Sequence, residues 1–220
     1  MTNEDLSAVE PIALFGGTFD PVHYGHLRCA DEARQKLSLD ILYLLPSGTP
    51  AHRDEPQATV GQRLDMLQLA RAEFPHLMID DRETRRSGPS YMVETLLELR
   101  AGFPDSPLML LTGQDAANLL HTWFQWERLF ELAHIVILTR PGAGTNYEQS
   151  LAKQMRSRSE SDVRKLLKTR AGAVLHLEVE PVDVSATAIK RIIRSGGSPV
   201  SMLPAAVLEY INENRLFLTV

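Results

Sequence analysis

Apolar positions fall along the chain in two alternating kinds of segment. Short continuous runs stand at 12–15, 41–45, 77–79, 108–111, 135–138 and 173–177, each the length of a strand buried on both faces. Between most of them the apolar residues are spaced for a helix. From 59 to 74 the set Val60, Leu64, Leu67 and Phe74 keeps one helical face, and Thr59 with Gln62 forms a capping-box pattern at its start. Further helices are predicted over about 91–99 and over about 115–132, the second with a break. Strand and helix alternating over this length imply right-handed βαβ units and a mostly parallel sheet. The expected fold class is therefore α/β, doubly wound. The chain reads as a single domain, 1–220, with 185–220 as a C-terminal helical subregion. The segment 141–146 and the polar stretch to Arg170 read as the most mobile part, and Arg156, Arg158 and Arg164 as a solvated helix face.

Size and composition narrow this picture only a little. A chain of 220 residues can bury one substantial core, and 44% hydrophobic with 23% charged residues is ordinary for a globular protein. No apolar stretch approaches the roughly 20 residues of a membrane helix, and residues 1–10 are acidic, without the basic and apolar regions of a signal peptide. A cytoplasmic protein without membrane contact is expected. Cys29 is the only cysteine, so no internal disulfide can form, and its place on the first predicted helix suggests packing. The net charge of −5 argues against general nucleic-acid binding, although it is uneven: the chain from Lys153 onward carries a net +4 and the part before it −9. A phosphate-rich small ligand needs only local positive charge. Oligomeric state is left open, a homo-oligomer included.

The chemistry begins where the first strand ends. Residues 16–26 read Gly-Gly-Thr-Phe-Asp-Pro-Val-His-Tyr-Gly-His. Two glycines let the backbone turn and approach a ligand, and His23 and His26 follow at the start of a predicted helix. Backbone N–H groups there and imidazole donors both favour phosphate. The Gly-Lys-Ser/Thr phosphate loop and the three-glycine dinucleotide fingerprint are both absent, which excludes the two commonest nucleotide-binding readings. A protein-held metal would need further ligands, and no third His or Cys stands at useful spacing. Ligands of a doubly wound sheet bind beyond the carboxyl ends of its strands. The loop 46–53 and Gly113-Gln114-Asp115 fall at such ends too, so three loops converge on one crevice. Near the other end of the chain, Ser185 is a candidate N-cap for a helix running through Lys190. Its first-turn N–H groups, the Ser185 and Thr187 hydroxyls and Lys190 are further phosphate donors.

Taken together, the motif at 16–26 and Ser-Ala-Thr-Ala-Ile-Lys at 185–190 resemble the nucleotidyltransferase superfamily that shares His-x-Gly-His and a C-terminal Ser-Ser/Ala-Thr-x-x-Arg motif. Within it the chain is similar to the bacterial nicotinate-nucleotide adenylyltransferase family. The likeness extends through Pro46-Ser-Gly-Thr-Pro-Ala-His-Arg53, Arg63 with Met66, Ser90-Tyr91, Gly113-Gln114-Asp115, Trp123, and Tyr210 to Phe217. It implies a Rossmann-like transferase moving AMP from ATP to nicotinate mononucleotide, with release of pyrophosphate, in NAD biosynthesis. By the same resemblance, Gly16, Gly17, Thr18, Phe19, His23, His26, Gly113, Asp115, Ser185, Thr187 and Lys190 would bind ATP. His23, His26 and Lys190 would be its catalytic donors. His52, Arg53, Tyr91, Met92 and Trp123 would bind the mononucleotide, Trp123 by stacking on the nicotinate ring. Mg²⁺ would be carried mainly by ATP phosphates, with no metal ligand from the protein.

This sequence departs from the family pattern at three positions. Lys190 stands where Arg is usual, so a planar fork becomes a point charge, for which Arg191 or Arg194 could compensate. Arg53 replaces the more usual Lys and keeps the charge. Met92 replaces a common Thr, which leaves backbone donors to meet the nicotinate carboxylate. The alternatives are a sister transferase acting on phosphopantetheine, glycerol phosphate or flavin mononucleotide, and a nucleotide-binding regulator without turnover.

Overall fold

A computed structural model of the chain describes residues 10–50, 55–140 and 144–219. Every predicted apolar run forms a strand: β1 (Ile12–Gly17), β2 (Leu42–Pro46), β4 (Leu77–Ile79), β6 (Leu108–Gly113), β7 (His134–Thr139) and β8 (Val174–Glu178). Two further strands of two residues each, β3 (Thr49–Pro50) and β5 (Pro89–Ser90), pair with one another in parallel. The main sheet has the order β4-β2-β1-β6-β7-β8, and all of its pairs are parallel. The helices are α1 (Tyr24–Lys36), α2 (Val60–Ala70), α3 (Met92–Gly102), α4 (Gln114–Asn118), α5 (Trp126–Leu132), α6 (Gln149–Ser157), α7 (Val163–Leu166), α8 (Ala186–Arg194) and α9 (Ala205–Glu213). The fold is the doubly wound α/β architecture that the alternating pattern predicts.

Alternation along each strand divides the core between two faces. Ala13, Phe15, Leu42, Leu44, Met109, Leu111, Val136 and Leu138 point to one face, where they meet α1, α2, α8 and α9. Leu14, Leu108, Leu110, Ile135 and Ile137 point to the other, against α3, α5 and α6. Strand β1 lies between β2 and β6. The chain runs outward from β1 through β2 and β4, then crosses back to start again at β6. That reversal opens a crevice at the carboxyl ends of β1 and β6, the place where such sheets take their ligands.

Local chemistry explains most element ends. The capping box at Thr59 and Gln62 is present, worth about 1 kcal/mol to α2. The buried face of α2 is not the predicted apolar set, however: it consists of Arg63, Met66, Leu67 and Ala70, while Val60 and Leu64 are half-buried. The expected break within 115–132 occurs at Trp123–Gln125, where Trp123 is extended and Gln125 is left-handed, with φ of 51°. The reading of the stretch before Arg170 as mobile is corrected for the described residues. Glu148 caps α6 by accepting from Ser150 N and Leu151 N, and Leu151, Met155 and Leu166 are buried. Arg158 is not part of a solvated face either. Its guanidinium lies 5.3 Å over the Phe130 ring and its Nε donates to Gln154 Oε1 at 2.9 Å. Cys29 packs in the core as expected, and burial raises its thiol pKa.

Candidate active site

The glycine turn is shaped by what lies against it. A Cβ on Gly17 would meet the Phe19 ring at 2.9 Å, so glycine there makes room for Phe19 to fold back into the core with φ of 53°. The next residue, Asp20, is buried and accepts from Ala58 N and Gln57 N, both at 3.0 Å. It also forms an ion pair with Lys190. One carboxylate thus ties the β1 loop to the approach of α2 and to α8. Arg63, 1% exposed on α2, donates to Thr18 O at 2.9 Å, Ser47 O at 2.7 Å and Gly48 O at 3.0 Å. Burial lowers its pKa and Asp20 opposes that, but an arginine remains a cation. Its planar fork holds the loops after β1 and β2 in fixed relation.

His23 and His26 form a stacked pair with ring centroids 3.7 Å apart and planes 20° apart. His23 is the extended N-cap of α1, and its carbonyl accepts from His26 N and Leu27 N. A Cβ on Gly25 would come within 2.9 Å of the His23 ring and 3.0 Å of Val184 O. Glycine is therefore needed between the histidines so that the imidazole and the segment before α8 can both close on this turn. Burial lowers the His23 pKa to about 4, and the positive charge of Arg140 adds to the effect. At neutral pH His23 is an uncharged imidazole with a single N–H to give, and its buried Nδ1 has no hydrogen-bond partner among the described residues. His26 is half-buried, with the edge of its ring against Phe19 at 5.1 Å.

Helix α8 completes this side. Ser185 is its N-cap and accepts from Ala188 N at 3.2 Å; Ser185 and Thr187 are exposed, whereas Ile189 and Ile193 anchor the helix in the core. Lys190 pairs with Asp20 and lies 4.9 Å from the Phe217 ring centroid. Arg191 is exposed, and Arg194 donates to Gln57 Oε1 at 3.1 Å. On the neighbouring strand β6, Gly113 is the extended N-cap of α4 and Asp115 is exposed in its first turn. Buried Gln114 steadies that turn by donating to Asn118 Oδ1 and Tyr147 OH.

The remaining candidates lie around α3. Tyr91 is its N-cap and its ring is 4.6 Å from that of Phe124, next to half-buried Trp123. Met92 reaches back over the glycine turn, where its Cε would be 3.3 Å from a Cβ on Gly16. His52 and Arg53 lie outside the described residues. The structure thus joins Gly16 to His26 with Ser185 to Lys190 through Gly25 and Asp20, and joins Met92 to the same turn. Sequence reasoning missed the supports: Asp20 as the partner of Lys190, Arg63 as the clamp of two loops, and Arg140 as a charge felt by His23. The sequence carried only their positions, Asp20 within the glycine motif and Arg63 among the residues of the family likeness, and not the partners they hold.

A protein-family model described as cytidylyltransferase-like matches residues 14–192, which spans both halves of the sheet. A probable nicotinate-nucleotide adenylyltransferase of Methylococcus capsulatus is 44% identical over 207 residues, covering 94% of this chain and 99% of its own. The chain belongs to the nicotinate-nucleotide adenylyltransferase family. A second member, the probable enzyme of Aeromonas hydrophila, is 40% identical over 207 residues, covering 94% of this chain and 97% of its own. The fold likeness reaches further than the sequence likeness. The nicotinic acid mononucleotide adenylyltransferase of Plasmodium falciparum, solved with NaAD, has a TM-score of 0.73 at 13% identity, covering 94% of this chain and 97% of that one. No helix among the described residues is long and apolar enough to cross a membrane.

Proposed function

We propose that the protein transfers AMP from ATP to nicotinate mononucleotide, forming nicotinate adenine dinucleotide and pyrophosphate in the cytoplasm. The observation that carries this reading is the stacking of buried, uncharged His23 on His26, closed against the segment before α8 at Gly25. A phosphate monoester has its second pKa near about 6, so the mononucleotide is already an anion and no base is required. One of its phosphate oxygens attacks the α-phosphorus, and the bond from that phosphorus to the pyrophosphate oxygen breaks. Catalysis then rests on alignment and on donors aimed at developing charge.

In this reading His23 and His26 donate to the α-phosphate, with Gly16, Gly17, Thr18 and Phe19 shaping the turn around it. Ser185, Thr187 and Lys190 hold the β- and γ-phosphates. The pairing of Lys190 with Asp20 supports a lysine kept close to the glycine turn, within the reach of a bound triphosphate. Asp115, exposed beside Gly113, accepts from the ATP ribose hydroxyls. Trp123 stacks on the nicotinate ring, backbone N–H groups near Tyr91 and Met92 meet its carboxylate, and His52 with Arg53 meets the mononucleotide phosphate. Among the described residues no group of three or more His, Cys, Asp and Glu side chains could hold a metal. Mg²⁺ in this reading would be carried mainly on ATP phosphate oxygens, where it would neutralise charge on the leaving pyrophosphate. Pyrophosphate release measured with ATP, Mg²⁺ and each acceptor in turn tests the reading. Release is expected with nicotinate mononucleotide and far less with phosphopantetheine, glycerol phosphate or flavin mononucleotide; equal or greater release with one of those would overturn it.

A further inference from the structure

Beneath the β3–β5 ribbon lies a buried carboxylate that the reaction does not use. Glu83, 4% exposed, sits in the 3-10 turn Arg82–Arg85 that follows β4. A chain of oriented donors ends on it. Arg86 Nη1 donates to Thr95 Oγ1 at 3.0 Å, and the Thr95 hydroxyl gives its single proton to Glu83 Oε1 at 2.6 Å. Gly48 N donates to Ser90 Oγ at 2.9 Å, and the Ser90 side chain, like those of Thr95 and Arg86, favours the charged form of Glu83 against its burial. The main chain is pressed into the same knot. A Cβ on Gly48 would lie 2.4 Å from Glu83 O, so no other residue fits at 48 without displacing this turn. Gly48 O is in addition one of the three carbonyls that Arg63 holds.

The residues joined here stand on the two walls proposed for the mononucleotide. Gly48 and β3 belong to one, and Ser90 and Thr95 flank Tyr91 and Met92 at the start of α3 on the other. The ribbon between the walls is two residues long on each side, Thr49 opposite Pro89 and Pro50 opposite Ser90. Two prolines among four residues deprive so short a ladder of donors. Backbone pairing alone is thus a weak fastening, and the buried side-chain relay supplies what it lacks.

We propose that Glu83 is a positioning residue that holds the two walls of the mononucleotide subsite in register, by accepting from Thr95 on the wall that starts α3 while its main chain lies against Gly48 of the other wall, which itself donates to Ser90. The role demands a group that only accepts. A Gln at 83 that kept its carbonyl oxygen on Thr95 would bury an NH₂ where Arg86 and Ser90 favour an anion. Threonine at 95 is required for its hydroxyl, not for its shape: serine keeps the relay, whereas valine keeps the volume and breaks it.

This inference rests on the adenylyltransferase reading, and the test separates the two. Steady-state constants for both substrates are measured for the wild type, Glu83→Gln, Thr95→Val and Thr95→Ser, each with its melting temperature. Activity of the wild type with ATP and nicotinate mononucleotide checks the reading itself, whatever the variants do. Given that activity, Glu83→Gln and Thr95→Val are expected to raise the KM for the mononucleotide about 10-fold or more, with the KM for ATP changed less than about twofold, and Thr95→Ser to restore the wild-type value. Thr95→Val folded and kinetically indistinguishable from the wild type would overturn the proposal. So would equal losses for both substrates, or a Thr95→Ser as impaired as Thr95→Val.

Discussion

On the side of the cleft proposed for ATP, residues are held by closeness of main chain: Gly17 against the Phe19 ring, Gly25 against both the His23 ring and Val184 O, and Asp20 on two backbone N–H groups and Lys190. On the side proposed for the mononucleotide they hang from side chains, with Arg63 holding Ser47 O and Gly48 O and Glu83 accepting from Thr95, in loops that share only a two-residue ribbon. The contrast suits two different tasks. Charge develops at the α-phosphorus during reaction, so donors there must be preorganised to within fractions of an ångström. A ring and a carboxylate have only to be recognised, and walls set by side-chain relays suffice for that.

The contrast is most exposed to test at His26. His26→Ala is expected to lower kcat by roughly 10² to 10³, the scale of losing one preorganised donor, with the KM for the mononucleotide nearly unchanged. A rise in that KM with kcat retained would move His26 to the other half of the cleft.

The next effect is on stability. Folded His23 titrates at about 4 against an ordinary value of 6.5. As pH falls the unfolded chain therefore takes up a proton first, and the native state loses stability between those two values. The loss from this group reaches about 3 kcal/mol at most. In a folded His23→Asn variant, denaturant midpoints should fall less steeply across that window, the remaining slope belonging to carboxylates and to His134 and His176, whose pKa values burial also lowers. An unchanged slope would mean that His23 is not held uncharged.

The smallest effect belongs to the recognition side. Trp123→Ala should weaken the mononucleotide roughly 10-fold, about 1.4 kcal/mol, with ATP affinity kept. Equal loss for both ligands would make Trp123 a packing residue of the second core face, where its half-buried ring also lies.

The same division governs what could be read from the sequence. Buried parallel strands are continuous apolar runs, so all six strands of the main sheet were legible within one or two residues, and their alternation with helices gave the doubly wound order of events. The half proposed for ATP could be singled out because its residues are local: glycines, histidines and a helix start stand within eleven consecutive residues. The partner of Lys190 was not, because Asp20 is 170 positions away and a carboxylate beside a proline looks like an ordinary turn. Arg63 and Glu83 were hidden for a related reason. Each is a charged residue in an amphipathic or polar segment, where the expected place is the surface, and only the meeting of several loops buries them. The stretch after residue 146 misled because its polarity belongs to capped helices that sink only Leu151, Met155 and Leu166.

In the proposed reaction the adenylyl group, and not the terminal phosphates, moves to the mononucleotide. ATP labelled at the α-phosphorus, incubated with the protein, Mg²⁺ and nicotinate mononucleotide, measures this directly. Label is expected in a dinucleotide, with unlabelled pyrophosphate as the second product. Label remaining in AMP or ADP, with no dinucleotide formed, would contradict it.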